Sequence, residues 1–135
     1  MERMFEEEQG GYWAFPLANN VLGEKGKLAC IDTANGGVIV AGKTATGLVS
    51  IGHFRETFTG DGTRKIQVKL HREIQASWWD NDPDGLLDAG DRGTKCYIKD
   101  AETVSATGTG RSVAGMVLDV DPVQGVLVVF GYPTN

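Results

Sequence analysis

Lys65-Ile66-Gln67-Val68-Lys69-Leu70-His71-Arg72-Glu73-Ile74-Gln75-Ala76-Ser77-Trp78 is the stretch on which the fold turns. Ile66, Val68, Leu70, Ile74, Ala76 and Trp78 fall on one side of an extended chain, and Lys65, Gln67, Lys69, His71, Glu73 and Gln75 on the other. Successive side chains of a strand point to opposite faces, so a period of two over this length predicts a half-buried strand, or two strands joined by a bend near Arg72. Turn formers bound it: Thr59-Gly60-Asp61-Gly62 before, and an Asp- and Gly-rich run over residues 80–93 after.

The same grammar continues outward. Leu28-Ala29-Cys30-Ile31 and Val38-Ile39-Val40-Ala41 flank Asn35-Gly36-Gly37 and predict a hairpin closed by Gly42. Gly47 to Phe58 alternates loosely. Lys95-Cys96-Tyr97-Ile98 and Thr103-Val104-Ser105-Ala106 are further short strands, Thr107-Gly108-Thr109-Gly110 is a turn, and residues 113–120 and 126–130 form a hairpin through Asp121-Pro122-Val123-Gln124-Gly125. No segment repeats apolar residues at helical spacing over three turns, so the predicted fold is all-β, a compact small barrel or sandwich of short antiparallel strands. Residues 1–27 lack either period and read as an extended N-terminal arm carrying Phe5, Tyr12, Trp13, Phe15, Pro16 and Leu17; residues 28–135 read as one β domain.

Composition narrows the function. The chain has 135 residues, 41% hydrophobic and 23% charged, enough to bury roughly two thirds of its extended surface in one core and too apolar for a disordered protein. Its 19 glycines are scattered, as many turns require. A net charge of −5 repels phosphate backbones, so nucleic acid is not an expected partner. The charge is laid out in blocks: Glu2, Glu6, Glu7 and Glu8 against Arg3 at the start, a mildly basic stretch from Lys43 to Glu73 through Lys43, Arg55, Arg64, Lys65, Lys69 and Arg72, and acid again from Asp80 to Asp121. Cys30 and Cys96 have no close spacing and are expected as buried free thiols. The N-terminus lacks a signal-peptide pattern, and the longest apolar run, residues 126–130, is strand-sized, so neither export by that route nor a membrane span is expected.

Several motifs invite chemistry. Gly37-Val38-Ile39-Val40-Ala41-Gly42-Lys43-Thr44 matches a phosphate-loop pattern, but its middle residues prefer a pleated strand and no helix follows. Thr107-Gly108-Thr109-Gly110-Arg111-Ser112-Val113 has Val113 where a dinucleotide fingerprint needs glycine. Gly47-Leu48-Val49-Ser50-Ile51-Gly52 is one residue too long for a nucleophile elbow, and His53 and His71 show no partner in sequence, with His71 on the polar side of its strand. Asp80-Asn81-Asp82-Pro83-Asp84-Gly85-Leu86-Leu87-Asp88-Ala89-Gly90-Asp91 sets Asp80, Asp82, Asp84 and Asp88 at calcium-loop positions, with Asp91 in place of the usual glutamate; it is either a cation loop or an acidic connection. In Trp78-Trp79, one indole enters the core while its neighbour faces solvent or an interface.

Trp78-Trp79-Asp80-Asn81, the acidic loop, Gly93-Thr94-Lys95-Cys96-Tyr97-Ile98-Lys99-Asp100, Glu102-Thr103-Val104, Gly110-Arg111-Ser112-Val113-Ala114-Gly115-Met116-Val117-Leu118-Asp119-Val120-Asp121 and Gly125-Val126-Leu127-Val128 together resemble the head decoration, or cement, proteins of tailed bacteriophages. The resemblance covers about residues 28–130 and is strongest from Trp78 onward. It implies a β-rich virion protein without enzymatic activity or cofactor, binding the major capsid protein on the outside of the expanded shell and bridging its subunits. It also implies a homo-oligomer, a trimer ahead of a dimer. Phe5, Tyr12, Trp13, Phe15, Trp78 and Trp79 are the candidate interface residues. The alternatives are a calcium-binding β module using the Asp80 to Asp91 loop, and a tail or baseplate structural protein.

Overall fold

The computed structural model describes residues 12–71 and 75–130. They form twelve strands: β1 (Tyr12–Pro16), β2 (Leu22–Gly23), β3 (Leu28–Asp32), β4 (Val38–Ala41), β5 (Leu48–Phe54), β6 (Phe58–Thr59), β7 (Lys65–Leu70), β8 (Gln75–Asn81), β9 (Lys95–Ile98), β10 (Thr103–Ser105), β11 (Val113–Asp121) and β12 (Gly125–Phe130). The all-β expectation holds; the only helical turns among the described residues are 3-10 turns at Thr33–Asn35 and Ala89–Asp91.

Two β assemblies follow one another along the chain. A five-stranded sheet has the order β1-β7-β5-β3-β4, and β10-β8-β12-β11-β9 close into a barrel, while β2 and β6 make a small pair of their own. The first sheet curls until its two edges meet, through a bridge between Leu17 and Ile39. Every ladder is antiparallel except β8 with β10. That exception departs from the purely antiparallel expectation and is forced by geometry. Directions cannot alternate around a ring of five, so at least one neighbouring pair must run the same way.

Each assembly has its own phase. On β7, Ile66 and Val68 are buried; on β8, Ser77 and Trp79 turn inward, because Trp79 pairs with Val126 and Ser77 with Val128. Trp79 is therefore core and Trp78 is 36% exposed, so Ala76 and Trp78 do not share the buried side of Ile66 and Val68. β7 and β8 are separate strands of different sheets, and the bend expected near Arg72 falls on residues 72–74, outside the described residues.

The apolar interior forms two clusters. One fills the curl of the first sheet with Leu17, Ala29, Ile39, Phe54, Ile66 and Val68. The other fills the barrel and runs out to Leu28, Cys30, Val40 and Leu48 on the far face of the first sheet, which joins the two halves. Hydrogen bonds cross the same seam, from Leu28 N–H to the Ala101 carbonyl at 2.7 Å and from Leu48 N–H to Ser112 Oγ at 2.9 Å. Cys30 and Cys96 are free, buried thiols, pushed up to about 12 by burial. Close approach dictates two glycines. A Cβ at Gly52 would collide with the Lys69 carbonyl, and Gly125 has φ +98° with the Trp79 carbonyl where a Cβ would stand.

Within the stretch read as an extended arm, Tyr12 to Leu17 belong to the first sheet and its core. Tyr12 to Pro16 pair with Lys69 to Lys65, setting Trp13 and Phe15 opposite Val68 and Ile66, and Leu17 is wholly buried. The alternation is hidden in sequence because outward-facing Tyr12, Ala14 and Pro16 are not polar, and Pro16 is tolerated at the end of an edge strand.

The change of phase has a measurable consequence. Trp79→Ala should cost about 3–5 kcal/mol in urea unfolding, as truncating a core aromatic does. Trp78→Ala should cost less than about 1 kcal/mol; equal losses would contradict the register.

Candidate docking surface

The predicted interface aromatics do not gather into one patch. Tyr12 lies on the outer face of the first sheet beneath the Arg55 guanidinium, 3.6 Å from its ring centroid, with Lys69 Nζ at 4.5 Å. Trp13 and Phe15 point to the inward side and are half-buried, Phe15 packing on the curl's core. Trp79 is core, edge-on to Phe130 at 6.0 Å, while Trp78 lines a hollow at the seam. Phe5 lies outside the described residues.

An apolar surface appears instead at one end of the barrel, on two ordered connections. In the first, the Asn81 side chain accepts from Leu87 N–H at 3.0 Å and donates to the Leu87 carbonyl at 2.9 Å. This draws Leu87 inside and leaves the neighbouring Leu86 64% exposed. In the second, Asp121 accepts from the backbone N–H groups of Val123 (3.2 Å) and Gln124 (2.8 Å), an Asx turn that holds Val123 outward at 91% exposure. Between the two lies a groove of about 860 Å³ with Pro83, Leu86, Pro122 and Val123 along it and Asp80, Asp88 and Asp121 among its polar residues. Neither Leu86 nor Val123 stands out in sequence; the available signal is an apolar residue stranded inside an Asp-, Pro- and Gly-rich turn.

The acidic loop does not converge its carboxylates. Asp82 is 1% exposed; Lys99 Nζ donates to it at 2.9 Å, Ser105 Oγ at 2.8 Å and Asp84 N–H at 3.0 Å, with the Arg111 guanidinium at 3.9 Å. The Lys99 ammonium, ahead of the cost of burial, holds the Asp82 carboxyl down at about 2. Asp88 and Asp91 turn to each other's backbone in a capping box around the 3-10 turn. Among the described residues no group of three or more His, Cys, Asp or Glu side chains is placed to hold a metal. The middle of the phosphate-loop match is strand β4, and the backbone of its Lys43 makes an isolated antiparallel β-bridge with that of Asp100.

A second hollow of about 460 Å³ lies between the halves, lined by Lys27, His53, His71, Trp78, Asp80 and Glu102 among others. His71 spans the seam. Its ring stacks on Phe130 with centroids 3.8 Å apart, and its Nε2 is 2.7 Å from Ser50 Oγ, so it is packed rather than solvated on the strand's polar side. A serine–histidine pair becomes a nucleophile when a third group orients the ring. Among the described residues no carboxylate bonds His71; Lys27 and Glu102 pair with each other.

Two measurements follow. Burial, with a smaller contribution from His53, lowers His71 from 6.5 to about 4. Above pH 6.5 the ring is neutral in both states; between 6.5 and 4 the unfolded chain takes up a proton that the folded chain refuses, so stability falls as pH falls across that window. Urea melts across that range should show this slope flattened in His71→Gln, which keeps a partner for Ser50. Asp82→Ala should cost about 3 kcal/mol by leaving Lys99 and Arg111 without their shared carboxylate. The loss should be the same in excess EDTA and in excess calcium; calcium-dependent melting of the natural chain would restore the cation-loop reading.

The chain matches no protein-family model, no curated protein and no solved structure.

Proposed function

We propose that this protein is a non-enzymatic structural protein of a tailed-phage virion, which binds the outer surface of the expanded head and stabilises it by bridging coat subunits. The observation that carries the reading is the groove at the barrel end, where two hydrogen-bonded turns hold Leu86 and Val123 in water. Large apolar side chains fixed outward on ordered turns have no role in the protein's own core and suit a protein partner. The phage-like words of the sequence also fall mainly on one structural unit: Trp78 to Asn81, Lys95 to Ile98, Thr103 to Val104, Val113 to Asp121 and Gly125 to Val128 are strands of the barrel. The partner is the major capsid protein. The protein acts as a homo-oligomer, a trimer ahead of a dimer, so that modest contacts at equivalent sites add up.

Co-sedimentation with expanded and unexpanded shells tests this. The natural chain should saturate expanded shells only. Leu86→Asp and Val123→Asp should each weaken binding about 30-fold, the size of a 2 kcal/mol anchor, with unfolding midpoints unchanged. Failure to bind either form would overturn the reading in favour of the tail or baseplate.

A further inference from the structure

The hollow of about 460 Å³ between the two halves has walls fixed by the fold itself. On the side of the first sheet stands the turn before β3, Lys25-Gly26-Lys27. It is pinned by Lys25 N–H to Thr57 Oγ1 at 3.0 Å and by Gly26 N–H to the Phe54 carbonyl at 2.8 Å. On the barrel side stands β8, whose Asp80 N–H donates to the Glu102 carbonyl at 2.9 Å. The Lys27 ammonium pairs with the Glu102 carboxylate across the seam. Trp79 donates its indole N–H to Ser77 Oγ at 2.8 Å, whereas Trp78, on the opposite face of the strand, lines the hollow with its side chain still 36% exposed.

Two ammonium groups, Lys25 and Lys27, line the hollow with two carboxylates, Asp80 and Glu102, so their charges cancel. Burial, followed by Lys69 and Arg55, holds His53 below the ordinary imidazole range, and burial lowers His71 to about 4, so both rings are neutral at pH 7. With Lys27 and Glu102 committed to each other, the Lys25 ammonium, the Asp80 carboxylate and the His53 ring have no hydrogen-bond partner among the described residues. An ammonium only donates, a carboxylate only accepts, and a neutral imidazole does one at each nitrogen. A small ion suits one sign of such a set and is repelled by the other. A hydroxyl both donates and accepts, so it suits every member and replaces the water there with an equivalent bond. A pyranose adds a face of C–H groups, weakly positive, which the electron-rich face of an indole attracts. We propose that the hollow binds a neutral sugar, its ring laid on Trp78 and its hydroxyls held by Lys25, His53 and Asp80. The junction of two halves is a common place for a small-molecule site, and the volume lies in the range of such sites. The hollow shares only Asp80 with the groove at the barrel end, and this inference does not depend on the proposed function.

The test titrates the full chain with glucose, galactose, mannose and N-acetylglucosamine at pH 7, following the Trp78 indole N–H and the His53 ring by NMR, with the Trp13 indole as the distant reference. At least one of the four should move both signals and leave Trp13 still, saturating with a dissociation constant on the order of millimolar. Trp78→Ala, read through His53, should weaken that binding at least about tenfold. Asp80→Ala, read through Trp78, should weaken it about tenfold as well. Both side chains stand on the surface, and the unfolding midpoint of each variant checks that the body is intact. No saturable shift with any of the four sugars would overturn the proposal. An equal response to sodium acetate or to glycine would mark a site for an ion or a zwitterion and overturn it too. So would a sugar response that either variant leaves unchanged, because it would place the ligand elsewhere.

Discussion

Closing five strands into a ring obliges two neighbours to run parallel, and most of the barrel's particular features descend from that constraint. The parallel pair is β8 with β10, so the chain leaving β8 must cross the barrel end before returning as β9. Asp82 stands where this crossing begins. Its N–H continues the parallel ladder to the Val104 carbonyl, and its carboxylate gathers Ser105, Lys99 and Arg111, which lie in β10 and on the connections either side of it. A buried carboxylate is costly to desolvate, and a lone ion pair seldom repays that cost. Here several donors share one carboxylate, and no buried side-chain polar atom among the described residues lacks a partner.

The ordered crossing has a further effect. Because Asn81 clamps Leu87 and the capping box ties Asp88 to Asp91, the loop cannot relieve the exposure of Leu86 by folding it inward. A mobile loop would have to lose conformational freedom on binding; this one has lost it on folding, which leaves more of any contact energy for association. The same holds for Val123 on its Asx turn.

Much of this is legible in the sequence where one face of a strand meets water, as on β7, and at the two hairpins whose turns carry glycine. It is less legible where both faces are covered. Leu28 to Cys30 are all buried, because one side of β3 faces the curl and the other the barrel, so no alternation survives to be read. The change of phase between Val68 and Trp79 is likewise invisible locally, since it is set by pairing with β12, some fifty residues further along the chain. The acidic loop misleads for a related reason. Alternate aspartates fit a cation loop on spacing alone, but the partners that claim Asp82 are Lys99, Ser105 and Arg111, which only barrel closure brings to it.

The groove's chemistry also limits what can occupy it. Its apolar centre is small, and Asp80, Asp88 and Asp121 stand around it with Lys99 the single lysine or arginine among the lining residues. Acid around an apolar centre selects a partner segment that carries a large apolar side chain beside lysine or arginine, since like charge brought against such a rim is strongly disfavoured. Selection of this kind sets orientation more than strength. A patch built on two exposed side chains falls well short of the surface that a stable one-to-one complex buries. Tight attachment through such a groove therefore requires several grooves engaged at once, which a repeating surface provides and a solitary partner does not.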